Sequence, residues 1–569
     1  MVHFTRLSNS GVRVYSAKAN RCPFGFRTES TCVAMLLFVS VLSSPVPAMA
    51  QKASPAAPKT SDIPNECISN IPDQLSPAEV IATVQVPVDS VHEAMTRLAA
   101  ELQPGVKRDK LLLLFLIDRS ESCADQTREL KDAIPAFVEK LQATTAKTDP
   151  SVTTNTTRDI LFDVLGYDGK HTSGLKQPVR TVEEITTAIS HLEPIPATHS
   201  YLLAALEESL QRLNQTPELR NRQPILIILT DQSAQDDSPD SDALEKTIHL
   251  LHRHRARVYF LGQEASAGIS TKIYFGTQRD SEIRWKTCGP ESAISEMLPC
   301  DLLVNSNVFR PSGFGPYCEL RLAWKTDGCF YLLPSNDPLV QQIKAYHEIR
   351  RERCKIMGSY APELVSRQEY LAMLKRSPFR RAYYQSIVRL AEYYPNKLAG
   401  RSFPFPAKQF QAEWEQQAPQ LTKLYQAVSD SIRTLKEVEH LKNEEPSPRW
   451  RALHDVFYAE LLLTRVRLFD LFAAAEEMPQ RIRTCKKSYD GWLVDHSLDD
   501  QPFNATVALR LKVTEEEITS QRELAVMKQT DVARRYAQTA WGKAARESLE
   551  LGTSARFVPR LTLNLRDQR

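Results

Sequence analysis

The chain has 569 residues, 42% of them apolar and 25% charged, which is length for two or three domains and ample material for packed cores. Its formal charge of +3 comes without a concentrated basic stretch, so nothing favours nucleic-acid binding. The ten cysteines show no CxxC or Cys/His spacing, so nothing favours a zinc site.

The N-terminal residues point to export. Arg6, Arg13, Lys18, Arg21 and Arg27 precede the apolar run Val33 to Leu42, and Pro45, Pro47 and Ala48-Met49-Ala50 follow it. That order describes a secretory signal peptide over 1–50, cut after Ala50. An uncleaved anchor is disfavoured because the run falls short of the roughly 20 residues a span needs. No later segment resembles a transmembrane helix, so the mature chain is expected to be periplasmic or secreted, without a membrane span. Losing five basic residues and one acid takes its formal charge from +3 to about −1. In an oxidising compartment Cys288, Cys300, Cys318 and Cys329 are placed for one or two disulfides, with buried free thiols as the alternative.

Residues 51–107 read as a Pro- and Ala-rich linker with a helical lead-in. Val84 to Val88 has the look of a short strand, and Val91, Met95, Leu98 and Leu102 fall at helical spacing after Asp89, with Pro104-Gly105 as the stop. The apolar run Leu111 to Ile117 has the length and unbroken character of a strand buried on both faces of a parallel sheet. It ends in Asp118, then Ser120 and Ser122. A carboxylate and two hydroxyls on the loop leaving a buried strand stand where open α/β sheets bind ligands, and an oxygen-only donor set suits a hard cation, Mg²⁺ first, with Mn²⁺ or Ca²⁺ as alternatives.

Further along, Leu130, Ile134, Phe137, Val138 and Leu141 share a helical face, with a kink or late start predicted at Pro135. ILFDVL (160–165) makes the next strand, Thr181 to Leu192 a helix, and ATHS (197–200) opens the helix carrying Leu202, Leu203, Leu206 and Leu210. PILIILT (224–230) is another buried strand ending in an aspartate, Asp231. Ala243 to Leu251 is helical and RVYFL (257–261) is again a strand. Short apolar strands alternating with helices predict a doubly wound, mostly parallel α/β sheet.

At this point the chain resembles the von Willebrand factor type A (vWA) family, whose metal ion-dependent adhesion site uses DxSxS after the first strand, a Thr on a middle loop and an Asp after a later strand. The matching positions are Asp118, Ser120 and Ser122, then Thr198, then Asp231, with Ser200 as the alternative to Thr198. The resemblance implies that the three hydroxyls touch the metal and that the two aspartates act mainly through waters they orient. It also implies an open position for an acidic side chain of a partner protein. Two residues depart from the pattern: Glu121 stands between the serines where a small residue is common, and Gln232 replaces the glycine after the last Asp. His199, and His252 with His254 at a helix end, read as structural.

The vWA region is expected over 108–337, with an insertion at about 263–311 and a closing helix, turn and strand within Tyr317 to Leu333. From 338 to 569 the periodicity predicts an α-helical domain. Leu421, Leu424, Val428, Ile432, Leu435, Val438 and Leu441 form one stripe, and Leu453, Phe457, Leu461, Leu468 and Phe472 form another. KNEEPSP between them predicts two long antiparallel helices. Further helices are expected at 338–356, 362–374, 379–393 and 529–549, and a strand in the tail 556–565. No HExxH, nucleophile elbow or P-loop occurs there. The expected function is therefore that of an exported, non-catalytic interaction module. The alternatives are a structural envelope component with a silent metal site, or an enzyme that would need His454 or Cys485 joined to buried acids in a pocket.

Overall fold

Apolar strands of the first half assemble side by side in the computed structural model, which describes residues 75–106, 110–143, 160–168, 172–196, 201–231, 233–234, 237, 242–268, 272–276, 283–287, 289–298, 311–335, 345–393, 402–485 and 489–560. The expected signal peptide, most of the expected linker and Thr198, His199, Ser200 and Gln232 lie outside these residues. The strands are β1 (Gln85–Pro87), β2 (Leu111–Asp118), β3 (Ile160–Tyr167), β4 (Thr172–Gly174), β5 (Gln223–Leu229), β6 (Arg257–Gly262) and β9 (Cys329–Leu332). Between the last two, β7 (Lys272–Gly276) and β8 (Ile283–Thr287) form a separate antiparallel hairpin.

The spatial order is β1-β9-β6-β5-β2-β3-β4, parallel throughout except for β4 on β3. Strand order reverses between β2 and β5, so their outgoing loops diverge and leave a crevice at the carboxyl edge. β1 adds a parallel edge strand from the lead-in segment, directly after the short helix α1 (Pro77–Val84). Gln85 pins it, donating from Nε2 to Gly313 O at 2.9 Å and accepting from Gly315 N at 2.8 Å.

β2 is buried along its whole length, and its side chains alternate between two cores. Leu111, Leu113, Phe115 and Ile117 pack with residues of α2 (Val91–Val106), α3 (Ala124–Ala143) and α4 (Val182–Ser190). Leu112, Leu114 and Leu116 pack on the other side with α5 (Leu202–Gln215), α6 (Ala243–Arg253) and α7 (Tyr317–Lys325). Pro135 neither starts nor ends α3, which runs on through it, and Pro104 likewise lies inside α2. The turn into β9 is tight: Asp327 sits at φ +52°, and a Cβ on Gly328 would meet Val258 O at 1.8 Å.

The second half is helical, with long helices at Ala407–Glu437 and Pro448–Thr484. They run antiparallel, since His454 meets Leu435 near the hairpin while Trp414 meets Phe472 far from it. One expected helix, 529–549, is instead two, Glu515–Arg535 and Ala540–Leu551. Thr539 caps the second by accepting from Gly542 N at 3.2 Å, and a Cβ at Gly542 would meet Tyr536 O at 2.1 Å. The helices also enclose a small antiparallel sheet of β10 (Ser402–Phe403), β11 (Gly491–Ser497) and β12 (Ser554–Arg560). β12 is the expected tail strand.

The two halves share one core and a set of buried ions, and Gln74–Leu561 forms a single unit. Arg449, at the start of its long helix, is 0% exposed and donates to Glu296 Oε2 and Glu291 Oε1 at 2.7 Å each, both from the segment before α7. Tyr383 Oη donates to Glu296 O at 2.6 Å, Arg367 pairs with Asp237 at 2.6 Å, and Arg321 Nη1 donates to Leu364 O at 2.5 Å. Removing one partner of such a cluster strands the opposite charge in the core. Arg449→Ala should therefore lower stability by about 3–5 kcal/mol. In urea unfolding, strand and helix signals should be lost together at a lower midpoint.

Candidate metal centre

Parallel pairing sets the site. Ile117 lies opposite Leu229 in register, so Asp118 and the pair Thr230-Asp231 leave adjacent strands at the same edge. The loop after β2 then folds back on itself. Ser120 N donates to Asp118 Oδ1 at 2.9 Å, and a one-turn 3₁₀ helix, Glu121–Cys123, forms with Cys123 N donating to Ser120 O at 2.9 Å. Ser122 Oγ donates to Ser120 Oγ at 3.2 Å, and Ser120 Oγ to Asp231 Oδ1 at 3.5 Å. Asp118, Ser120, Ser122 and Asp231 thus converge on one point.

The middle loop approaches the same point. Ile195 N donates to Arg119 O at 2.8 Å and accepts, through its own carbonyl, from Glu121 N at 3.1 Å. Thr198 and Ser200 follow that bridge but lie outside the described residues. Glu121 is half-buried.

Two residues at the site were not expected from sequence. Thr230 Oγ1 donates to Asp118 Oδ2 at 3.2 Å, and its place one residue before Asp231 at a strand end was the available signal. Cys123 is fully buried, and its sulfur lies within 4.8 Å of carboxylate oxygens of both Asp118 and Asp231. No spacing rule would have found it.

Asp118 and Asp231 are both 3% exposed. Burial, and then the neighbouring Asp231 carboxylate, push the Asp118 carboxyl up to about 7. Two carboxylates and hydroxyl oxygens converging in a buried place fit a divalent cation, whose charge would remove the repulsion that holds a proton on Asp118. A cavity of about 220 Å³ opens beside them, lined by Asp118 and Ser120 and by the cationic side chains Arg119, Arg128 and Lys131.

Residues 113–274 match the family model of the von Willebrand factor type A domain. The chain carries a vWA domain. The match ends before α7, which covers one face of the sheet, and before β9, which joins β6 to β1 in it. No curated protein matches the chain. Domains of this family typically mediate protein–protein interactions and often hold a divalent metal at the end of the first strand.

The other sequence-flagged residues sit apart from this vWA site. His252 lies in the last turn of α6 and His254 caps it, the structural places read from the sequence, and burial lowers both from the ordinary imidazole value. Cys318 and Cys329 are buried thiols rather than disulfide partners; Cys288 and Cys300 lie outside the described residues. His454 is 1% exposed, with its ring stacked on Phe379 and Tyr458. The adjacent Asp455 is held well below the usual carboxylate range by His454, Lys442 and Tyr536.

The Asp118 shift has a definite sign in the metal-free protein. A carboxyl whose folded value lies above its unfolded value near 3.8 favours the fold fully at lower pH, and that contribution fades as pH rises through about 7. In chelator, stability should fall between pH 5 and pH 8 by on the order of 2–4 kcal/mol in the wild type. Asp118→Asn should flatten that slope, as measured by urea midpoints across the range.

Proposed function

We propose that this is an exported, non-catalytic interaction protein whose vWA domain grips a partner protein through a divalent cation, with the helical half as scaffold or second binding surface. The convergence of Asp118 and Asp231 at the crevice between β2 and β5 carries the reading. Their like charges, buried together, are satisfied by a cation, and the hydroxyls of Ser120, Ser122 and Thr198 supply neutral donors. On oxygen donors alone the ion is Mg²⁺, with Mn²⁺ or Ca²⁺ able to replace it.

The partner presents an acidic side chain to the ion. Arg119, Arg128 and Lys131 line the neighbouring cavity and favour the approach of an acidic surface. Export rests on the basic, apolar and A-x-A order of residues 1–50. Among the described residues no helix is long and apolar enough to cross a membrane. The enzyme alternative draws no support from His454, whose ring is shut between two aromatic rings away from solvent.

Calorimetric titration with MgCl₂ should show binding that Asp118→Ala and Asp231→Ala each weaken by at least about tenfold. In pull-downs from an envelope extract, a partner should be retained in Mg²⁺, released by chelator, and missed by both variants. Binding that survives chelator and both substitutions would overturn the reading.

A further inference from the structure

The vWA motif accounts for oxygen donors, yet the most deeply buried polarisable atom beside Asp118 and Asp231 is a sulfur. Cys123 ends the one-turn 3₁₀ helix that reverses the chain after β2, immediately before α3 begins at Ala124. The hydrogen bond from its N–H to Ser120 O fixes the turn, and the side chain is 0% exposed. Its Sγ and one carboxylate oxygen from each of Asp118 and Asp231 all lie within 4.8 Å of one another. A cysteine that merely fills a core has apolar neighbours. This one lies against two carboxylates, which themselves accept from the hydroxyls of Ser120 and Thr230.

We propose that Cys123 is a third protein ligand beside Asp118 and Asp231, and that the site accordingly takes a thiophilic divalent ion of the Zn²⁺, Co²⁺ or Cd²⁺ class in preference to Mg²⁺. The inference rests on the cation reading of the same site and changes its ion. Mg²⁺ and Ca²⁺ are held by oxygen and gain nothing from a thiol, whereas Zn²⁺ and Co²⁺ bond thiolate strongly. On binding, the S–H bond breaks, a metal–sulfur bond forms, and the thiol proton passes to solvent together with the proton held on the Asp118 carboxyl. Two carboxylates and a thiolate then overbalance a 2+ charge, which the hydroxyl donors do not worsen. Three protein ligands leave a position open for an outside group.

The test is a titration of the reduced, full-length protein with Co²⁺, read by the near-ultraviolet charge-transfer absorption that a cobalt–thiolate bond produces. The wild type should develop the band. Cys123→Ser and Cys123→Ala should lose it while keeping the far-ultraviolet circular dichroism of the wild type. Zn²⁺ should displace the bound Co²⁺ near stoichiometry, and Mg²⁺ should need at least about a hundredfold more. Co²⁺ retained in equilibrium dialysis without a thiolate band, or a band that persists in both variants, overturns the role of Cys123 and leaves the cation site standing. A protein that retains neither Co²⁺ nor Mg²⁺ removes the cation reading itself.

Discussion

Every side chain from Leu111 to Ile117 is buried and apolar, and a strand covered on both faces carries polar groups at low cost only at its ends or where they are paired, as Asp163 in β3 is with Arg212. That constraint organises the first half of the protein. It demands helices on both sides of the sheet, which α2, α3 and α4 supply on one face and α5, α6 and α7 on the other. It also forces the first polar residue, Asp118, to the carboxyl edge, where β5, in register with β2 up to Ile117 and Leu229, ends beside it and leads into Asp231. The reversal of strand order between β2 and β5 then opens the crevice that both occupy.

The helical half is not an appendage to this sheet. The core beneath Leu112, Leu114 and Leu116 continues without a break to Trp450, Phe457 and Phe472. Across the same boundary run ion pairs that water does not reach, centred on Arg449 between Glu291 and Glu296. Such pairs add little net stability compared with apolar packing, but they tolerate only one geometry, so they specify how the halves meet. The segment between β8 and α7 provides the acids for this junction. A vWA site mounted this way belongs to one compact unit with the helical half rather than to a tethered module.

Much of this was legible in the chain. Length and unbroken hydrophobicity marked β2, β5 and β6, because strands buried on both faces have few other ways to read. DRSES and ILTD marked strand ends by their sudden polarity. The long helices at Ala407–Glu437 and Pro448–Thr484 announced themselves by apolar stripes, since a helix of that length must bury one face. The break between Arg535 and Ala540 was hidden, because Tyr536 to Thr539 has ordinary helix-compatible residues. What ends the helix there is the Thr539 cap and the close approach of Gly542 to Tyr536.

Sequence alone determined the kind of sheet, the strand ends that carry oxygen donors and the order in which they occur, because hydrophobic periodicity and local polarity are properties of neighbouring residues. Tertiary structure decided the remainder. It placed Thr230 on Asp118 and Cys123 against both aspartates, and it turned β1 into an edge strand. It also raised the Asp118 carboxyl by burying it and then by setting a second acid beside it. Each of these depends on distances between residues far apart in the chain, and burial and charge act through space rather than along the backbone.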